Sequence, residues 1–172
     1  MRSLVQPLAA CEPLGLEPLN VRVRADADAI RQVRRKVVEY AERLGAREEL
    51  CDAVRLALSE ALTNVVRHAY SEHEQGDMIV EARHDDDEYL AVMVCDEGRG
   101  LVPAPREHTP GLGLGLSLMA QMANDFAITN RDDQSGTIVS MRFSLGGVPS
   151  APAAVRPASN CPVSAPAPSP EG

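Results

Sequence analysis

Three polar residues spaced four positions apart suggest the first chemistry in this sequence. Glu60, Asn64 and His68 lie in a stretch whose apolar residues recur with helical spacing. Residues four apart share one face of a helix, so these side chains should form a polar stripe. A carboxylate can act as a general base, and a carboxamide oxygen can bind a hard cation. The stripe suggests metal–phosphate chemistry, although taken alone it favours an amphipathic helix whose polar border faces water.

A second motif, Asp96-Glu97-Gly98-Arg99-Gly100, directly follows an apolar strand pattern. An aspartate at a strand end can accept a hydrogen bond from a ligand amine. The two glycines after it let the backbone bend and approach a ligand closely. Standing alone, however, an aspartate followed by glycine is typical of a simple turn.

The remaining motifs are glycine-rich. Gly111-Leu112-Gly113-Leu114-Gly115-Leu116 opens a predicted helix, where free backbone N–H groups and the helix dipole favour a phosphate. The alternative is a flexible helix start. Gly136-Thr137 precedes the last strand and by itself indicates only a hairpin turn. The P-loop pattern GxxxxGK[ST], the dinucleotide-binding pattern and the protein-kinase motifs VAIK, HRD and DFG are absent.

The composition is that of one acidic globular domain. The 172 residues include 25 Asp or Glu and 17 Lys or Arg, a formal net charge of −8. That balance argues against generic binding to nucleic acid or to an anionic membrane, for which a basic surface is expected. Trp is absent and aromatic residues make up 3%, which argues against base-stacking surfaces.

Cysteine usage and the N-terminus indicate a cytoplasmic protein. The four cysteines form no CxxC pair, and Cys51 and Cys95 lie in apolar patterns typical of small buried residues in a reducing compartment. The N-terminus is broken by prolines and has no uninterrupted apolar h-region. No apolar run is long enough to span a bilayer.

Hydrophobic spacing predicts the element order β-α-α-β-β-α-β-β. The predicted ranges are 19–24, 26–44, 47–69, 78–83, 89–95, 112–123, 126–130 and 137–143. Either Asp26 or Asp28 can cap the first helix, and Gly45 ends it. The loop over 96–112 is of a length that is usually functional, often as a lid. Helices in two groups with antiparallel hairpins favour an α+β two-layer sandwich over a parallel doubly wound sheet.

The folded domain should span residues 18–146. Residues 1–17 are predicted to be a flexible N-terminal segment. Residues 147–172 are almost entirely Pro, Ala, Ser and Gly. Such a tail cannot bury enough apolar surface to offset the entropy of ordering, so it should be disordered.

Taken together and in order, the motifs resemble those of the Bergerat (GHKL) ATP-binding fold shared by gyrase, Hsp90, sensor histidine kinases and MutL. Glu60 and Asn64 match its N box, and Asp96 to Gly100 match its DxGxG box. Gly111 to Gly115 match the second glycine box, and Gly136-Thr137 the last one. The resemblance implies a mixed, mostly antiparallel sheet that is covered on one face by helices.

Within that superfamily, the chain is similar to the anti-sigma-factor serine kinases of the RsbW/SpoIIAB type in its compact size and in the segment from Leu58 to Tyr70. The likeness covers about residues 18–145. It implies an ATP- and Mg²⁺-dependent protein serine/threonine kinase that phosphorylates a STAS-type anti-sigma antagonist and sequesters a sigma factor. A homodimer is compatible with it. The proline-rich tail is a departure, because the family core does not require one.

The resemblance also implies residue roles. Asn64 would bind the Mg²⁺ that bridges the ATP phosphates, and Glu60 would be the general base that deprotonates an attacking serine. Asp96 would hold the adenine amine, supported by Thr137. His68 would help to position phosphate, or else serve a structural role.

The glycines would shape the cavity. Gly98 and Gly100 would form the adenine wall, whereas Gly111, Gly113, Leu114 and Gly115 would bind the phosphates as a lid closes. Arg99 and Arg106 are available to neutralise phosphate charge.

Two other functions fit the same residues. An ATP-gated binding protein with little turnover would sequester a partner, and Arg31, Arg34, Arg35 and Lys36 offer basic contacts for an acidic one. A solvated helix face explains those four residues equally well. An isolated ATP-binding piece of a two-component system would instead transfer phosphate from a histidine substrate.

Overall fold

The computed structural model describes residues 16–71, 74–85, 88–100, 112–131 and 135–146. The predicted tail over 147–172 lies outside these residues, and so does the predicted N-terminal segment except for Leu16 and Glu17. Gly111 and Arg106 also lie outside them.

The elements follow the predicted order closely. They are β1 (Leu19–Arg24), α1 (Ala27–Arg43), α2 (Glu48–Asn64), a π-helical turn (Val65–Ala69), β2 (Asp77–Asp85), β3 (Tyr89–Asp96), α3 (Leu112–Met122), β4 (Asp125–Asn130) and β5 (Thr137–Ser144).

The five strands form one sheet in the order β1-β2-β3-β5-β4, and each described pairing is antiparallel. One row of apolar residues crosses all five strands: Val21, Val80, Val94, Val139 and Ile128. This side of the sheet shares one hydrophobic core with the helices. The α+β two-layer sandwich predicted from the sequence is confirmed.

The helices are placed by their caps and their apolar faces. Asp26 caps α1, because its carboxylate accepts the Ala29 N–H at 2.8 Å. On α2, Val54, Leu58 and Leu62 are fully buried. Full burial of each such side chain stabilises the fold by about 1.5–3 kcal/mol. Helix α2 packs against both α1 and α3 and so forms the centre of the helical layer.

The end of the second helix differs from the prediction. An α-helix was expected over 47–69, but α2 ends at Asn64 and continues as the π-helical turn. Hydrogen bonds in a π-helix join residues five apart, so the turn is wider than an α-turn. The α-helical stacking expected for His68 over Asn64 therefore does not hold, and the His68 side chain is exposed.

Alanine substitutions at Gly45 and Gly136 separate backbone strain from steric overlap. Both glycines have positive φ, 82° and 94°. An added Cβ has no neighbour within 4 Å at Gly45, but at Gly136 it would lie 2.0 Å from the Asp96 carbonyl oxygen. We expect Gly45→Ala to lower the free energy of unfolding by about 1–2 kcal/mol. Gly136→Ala should lower it by about 1–3 kcal/mol more. Urea denaturation measures both, and equal losses would contradict the close approach at Gly136.

Candidate nucleotide-binding site

A buried carboxylate marks the end of β3. Asp96 is 4% exposed and, among the residues that the structure describes, is the one charged residue in the buried class. It continues the inward face of β3 after Val92 and Val94, since alternate residues of a strand share one face. A charge at the end of an apolar strand face is costly unless it is hydrogen-bonded.

Donors from two segments bind the Asp96 carboxylate. Its Oδ1 accepts the Gly98 N–H at 2.9 Å and the Thr137 N–H at 3.2 Å. The Thr137 hydroxyl also hydrogen-bonds to the carboxylate. An ionised carboxylate has about four acceptor positions, so these three donors leave capacity for one from a ligand. The structure thus places Asp96, Gly98 and Thr137 together.

Burial raises the pKa of Asp96 above its ordinary value of 3.8. The Gly98 and Thr137 hydrogen bonds and the charge of Arg131 act in the opposite direction. Because the pKa is raised on balance, desolvation of the carboxylate outweighs the donors that the protein supplies. An additional donor from a ligand would reduce this cost.

The loop after β3 lies directly against the π-helical turn. A Cβ on Gly98 would lie 2.1 Å from the Ala69 carbonyl oxygen, so only glycine allows this approach. The Arg99 N–H donates to that same oxygen at 3.0 Å, and Arg99 Nε donates to the His68 carbonyl oxygen at 3.0 Å. The last carbonyl groups of a helix have no hydrogen-bond partners within the helix. Here Arg99 donates hydrogen bonds to two of them. Its guanidinium, expected to neutralise phosphate, is bonded to the π-helical turn.

A second carboxylate lies against α3. A Cβ on Gly115 would lie 2.7 Å from Glu60 Oε2, so the Glu60 side chain contacts the backbone in the first turn of α3. Asn64 follows one turn later along α2 and is half-buried. The first backbone N–H groups of a helix have no partners within the helix. Glu60 therefore borders the N-terminal end of α3, where a helix directs its first backbone N–H groups outward.

The other predicted site residues are more dispersed. Gly100 has a φ of 71° and lies at the end of the described part of that loop. Gly113 and Leu114 lie in α3, of which only the backbone is described at these positions. Asn64 has the oxygen donor that a hard cation prefers. Among the described residues, no three His, Cys, Asp or Glu side chains come together as a metal-ligand set.

The sequence interpretation missed one structural element of the site. Tyr70 and Arg99 connect the π-helical turn with the loop after β3. Tyr70 is the last residue of the segment that carries the family resemblance, but no spacing rule relates Tyr70 to residues 97–99.

Helices α1 and α2 also border a basic groove on the surface. It is lined by Arg31, Arg34, Arg35, Val38, Glu39, Glu42 and Arg55. Lys36, predicted with the three α1 arginines, is not among the lining residues. Arg34 donates to the Ser59 hydroxyl at 3.1 Å, which brings the groove to the residue preceding Glu60. Four arginines and two glutamates leave it positive in a chain of net charge −8.

None of the helices in the described part of the chain has the length and apolar character needed to cross a membrane.

The sheet, the helical layer and the Asp96 site together define an ATP-binding domain of the Bergerat class. The chain belongs to the histidine kinase-like ATPase domain family, whose model matches residues 23–143. Membership of this family implies ATP binding.

Two curated relatives are serine-protein kinases named RsbW. The proteins from Bacillus cereus (strain Q1) and Bacillus mycoides (strain KBAB4) are each 28% identical over 140 residues, covering 74% of this chain and 85% of theirs. A solved structure, the RsbU and RsbW domains of Rv1364c from Mycobacterium tuberculosis, matches with a TM-score of 0.59 and 23% identity. The match covers 74% of this chain and 32% of that one, and it supports the fold.

The raised pKa of Asp96 predicts a pH-dependent gain in stability for Asp96→Asn. The asparagine Oδ1 can accept the same backbone N–H groups without a buried charge. In the wild type, the penalty is absent below pH 3.8 and develops as the pH rises through the raised folded-state pKa. The variant should therefore have the higher free energy of unfolding at pH 7, with an advantage that shrinks as the pH falls toward 3.8.

Urea denaturation across this pH range measures the difference. The exposed carboxylate Asp52 provides the control, and Asp52→Asn should change stability by less than about 1 kcal/mol. A variant at Asp96 that is less stable than the wild type at pH 7 would contradict the dominant role of desolvation.

Proposed function

We propose that this protein is an ATP-dependent serine/threonine protein kinase that acts as an anti-sigma factor. It phosphorylates a STAS-type anti-sigma antagonist, and it also binds a sigma factor and so sequesters it. Because a sigma factor acts in the cytoplasm, the proposal places the protein there. The homodimer that the family resemblance suggests remains a prediction.

The observation that carries the kinase proposal is the position of Glu60. Its carboxylate contacts the first turn of α3 at Gly115 and lies one α-helical turn before Asn64. A base at this place faces the N-terminal end of α3, and the N–H groups at a helix N-terminus favour phosphate. Glu60 is therefore on the side of the site that suits proton transfer, whereas Asp96 is on the side that suits a base amine.

In this proposal, the protein binds ATP both at its adenine and at its phosphates. The adenine amine donates to Asp96, whose remaining acceptor capacity and desolvation both favour a further donor. Thr137 keeps the carboxylate oriented, and the contact between Gly98 and Ala69 forms the wall beside it. Asn64 would be the ligand for Mg²⁺, which fits the preference of that ion for oxygen donors and phosphates. When bound, Mg²⁺ neutralises phosphate charge.

In the transfer step, the hydroxyl oxygen of the acceptor serine attacks the γ-phosphorus of ATP, and the bond from that phosphorus to the β–γ bridging oxygen breaks. ADP leaves, and Glu60 takes the hydroxyl proton. Phosphoryl transfer depends mainly on positioning and electrostatics. The protein accordingly contributes by holding the Glu60 carboxylate, the general base, at a fixed distance from the bound nucleotide.

The basic groove supports a protein partner. Its arginines lie on α1 and α2, and Arg34 reaches Ser59, next to Glu60. Leu56, which follows the groove residue Arg55 in the sequence, is 42% exposed and offers an apolar contact to a partner. An acidic segment of a partner would complement this surface. The names of the RsbW relatives are consistent with a serine-bearing protein substrate.

The basic groove also supports a second candidate function: ATP-gated sequestration of a partner with little turnover. Capture of a partner requires the groove and the nucleotide, but it does not require a general base. The two functions are distinguished by variants that remove the base or the adenine contact separately.

Glu60→Gln tests the base. Transfer of labelled phosphate from ATP to a candidate antagonist should fall by about 10²–10⁴-fold, the usual contribution of a general base. The affinity for ATP, measured by calorimetry, should change little, because glutamine has nearly the same size and still contacts Gly115. The matched control is Glu49→Gln, which changes an exposed carboxylate in the first turn of the same helix. Undiminished transfer by Glu60→Gln would exclude the proposed role.

Asp96→Asn tests the adenine contact. A hydrogen bond to a charged group contributes about 1.5–3 kcal/mol, so the affinity for ATP should fall by about 10–100-fold. Asp28→Asn, at an exposed position on α1, serves as the control and should bind ATP normally. The sequestration function would be favoured by two results together. The wild type would transfer no phosphate, and capture of a sigma factor would persist in Glu60→Gln but be lost in Asp96→Asn. ATP affinity retained in Asp96→Asn would contradict both functions.

A further inference from the structure

Tyr70 links three segments that border the candidate site. Its hydroxyl accepts the Glu97 N–H at 3.0 Å and donates to the Asp77 carbonyl oxygen at 2.6 Å. Its ring lies against Gly76, where an added Cβ would be 2.0 Å from the ring carbon Cε1. Tyr70 thus joins the end of the π-helical turn to the start of β2 and to the residue that follows Asp96.

Arg99 adds two bonds at the same place, through the carbonyl oxygens of Ala69 and His68. Together, residues 68–70 and 97–99 form a contact that we call the junction. Glu97 is held within it from the other side as well, because its carboxylate pairs with Arg22 at 3.0 Å and with Arg131 at 3.5 Å.

The junction connects the two halves of the site by a short path. Asn64 and Asp96 are 32 residues apart in the sequence and lie in different layers. The path through the junction is much shorter. It runs from Asn64 along the π-helical turn to Tyr70. The hydrogen bond from the Glu97 N–H to the Tyr70 hydroxyl then joins the end of the π-helical turn to the residue next to Asp96.

The spacing of the two residues matters because a nucleotide has a nearly fixed reach. The base and the phosphates can be bound simultaneously only if their protein contacts are the right distance apart. A π-helical turn is rarely stable by its own hydrogen bonds, and its last carbonyls are satisfied by Arg99. Without the junction, the chain after Asn64 would lose the contacts that hold it against the loop after β3.

We propose that Tyr70 and Arg99 are positioning residues that fix the distance between Asn64 and Asp96, so that the base and the metal-bound phosphates of one nucleotide are bound together. The inference rests on the proposed function, in which Asp96 binds adenine and Asn64 binds Mg²⁺. It assigns neither residue a contact with the nucleotide.

Calorimetry with two ligands tests the proposal. Adenosine uses only the Asp96 end of the site, whereas Mg²⁺-ATP uses both ends. The ratio of the adenosine Kd to the Mg²⁺-ATP Kd therefore reports how well the two ends cooperate. Tyr70→Phe keeps the ring against Gly76 and removes only the hydroxyl. We expect it to lower this ratio by about tenfold, equivalent to one or two net hydrogen bonds, and to leave the adenosine Kd within about twofold.

Tyr40→Phe is the matched control. Tyr40 is a buried tyrosine of α1, outside the junction, and removing its hydroxyl should leave the ratio unchanged. A second variant, Arg99→Met, keeps the backbone bond to Ala69 and removes the guanidinium. It should lower the ratio in the same direction, and it decides the question if Tyr70→Phe fails to fold.

The double variant separates positioning from direct phosphate binding. If both residues act through the junction, the combined loss in Tyr70→Phe/Arg99→Met should be smaller than the sum of the single losses. Additive losses would instead make Arg99 an independent phosphate ligand and would overturn its assignment as a positioning residue.

An unchanged ratio in Tyr70→Phe and Arg99→Met, or equal weakening of both ligands, would overturn the inference while leaving the proposed function intact. A wild-type protein that binds adenosine as tightly as Mg²⁺-ATP would instead overturn the phosphate site of the proposed function, and the inference with it.

Discussion

The desolvated carboxylate of Asp96 is the interaction on which the arrangement of this site depends. It lies where the apolar inward face of β3 ends, and two separate segments must converge to supply its donors, one at Gly98 and one at Thr137. Both segments are held close by glycine, at Gly98 against Ala69 and at Gly136 against the Asp96 carbonyl. The protein nevertheless leaves the pKa of Asp96 raised. A group that is costly to bury and incompletely compensated is typical of a binding site.

The second constraint is that the site spans two layers. Asp96 belongs to the sheet, whereas Glu60 and Asn64 belong to the central helix of the helical layer. Apolar packing between the layers fixes their separation only broadly, because hydrophobic contacts are not directional. Hydrogen bonds are directional, and those at Tyr70 and Arg99 connect the two layers beside the site. The π-helical turn is the part of the chain that makes this connection possible.

Much of the fold could be predicted because its signals are local. The strand over 19–24 was predicted with the bounds that the structure has. Gly45 marked the end of α1, and of the two possible caps the structure uses Asp26. The predicted burial of Cys51 and Cys95 is confirmed. The π-helical turn could not be predicted in this way, because an α-helix and a π-helix place similar demands on residue type. The partners of its last carbonyls come from Arg99, about 30 residues later in the chain.

The sequence by itself determined the residue types, their spacing within each element and, through the combined motifs, the family of the domain. Spacing rules relate residues of one helix or strand, so they could place Glu60 and Asn64 on one face of α2. Only the tertiary structure decided that Glu60 lies against Gly115, that Asp96 is desolvated, and that Arg99 is bonded to the π-helical turn. Each of these depends on the packing of elements that are distant in the chain, and burial and contact are properties of that packing.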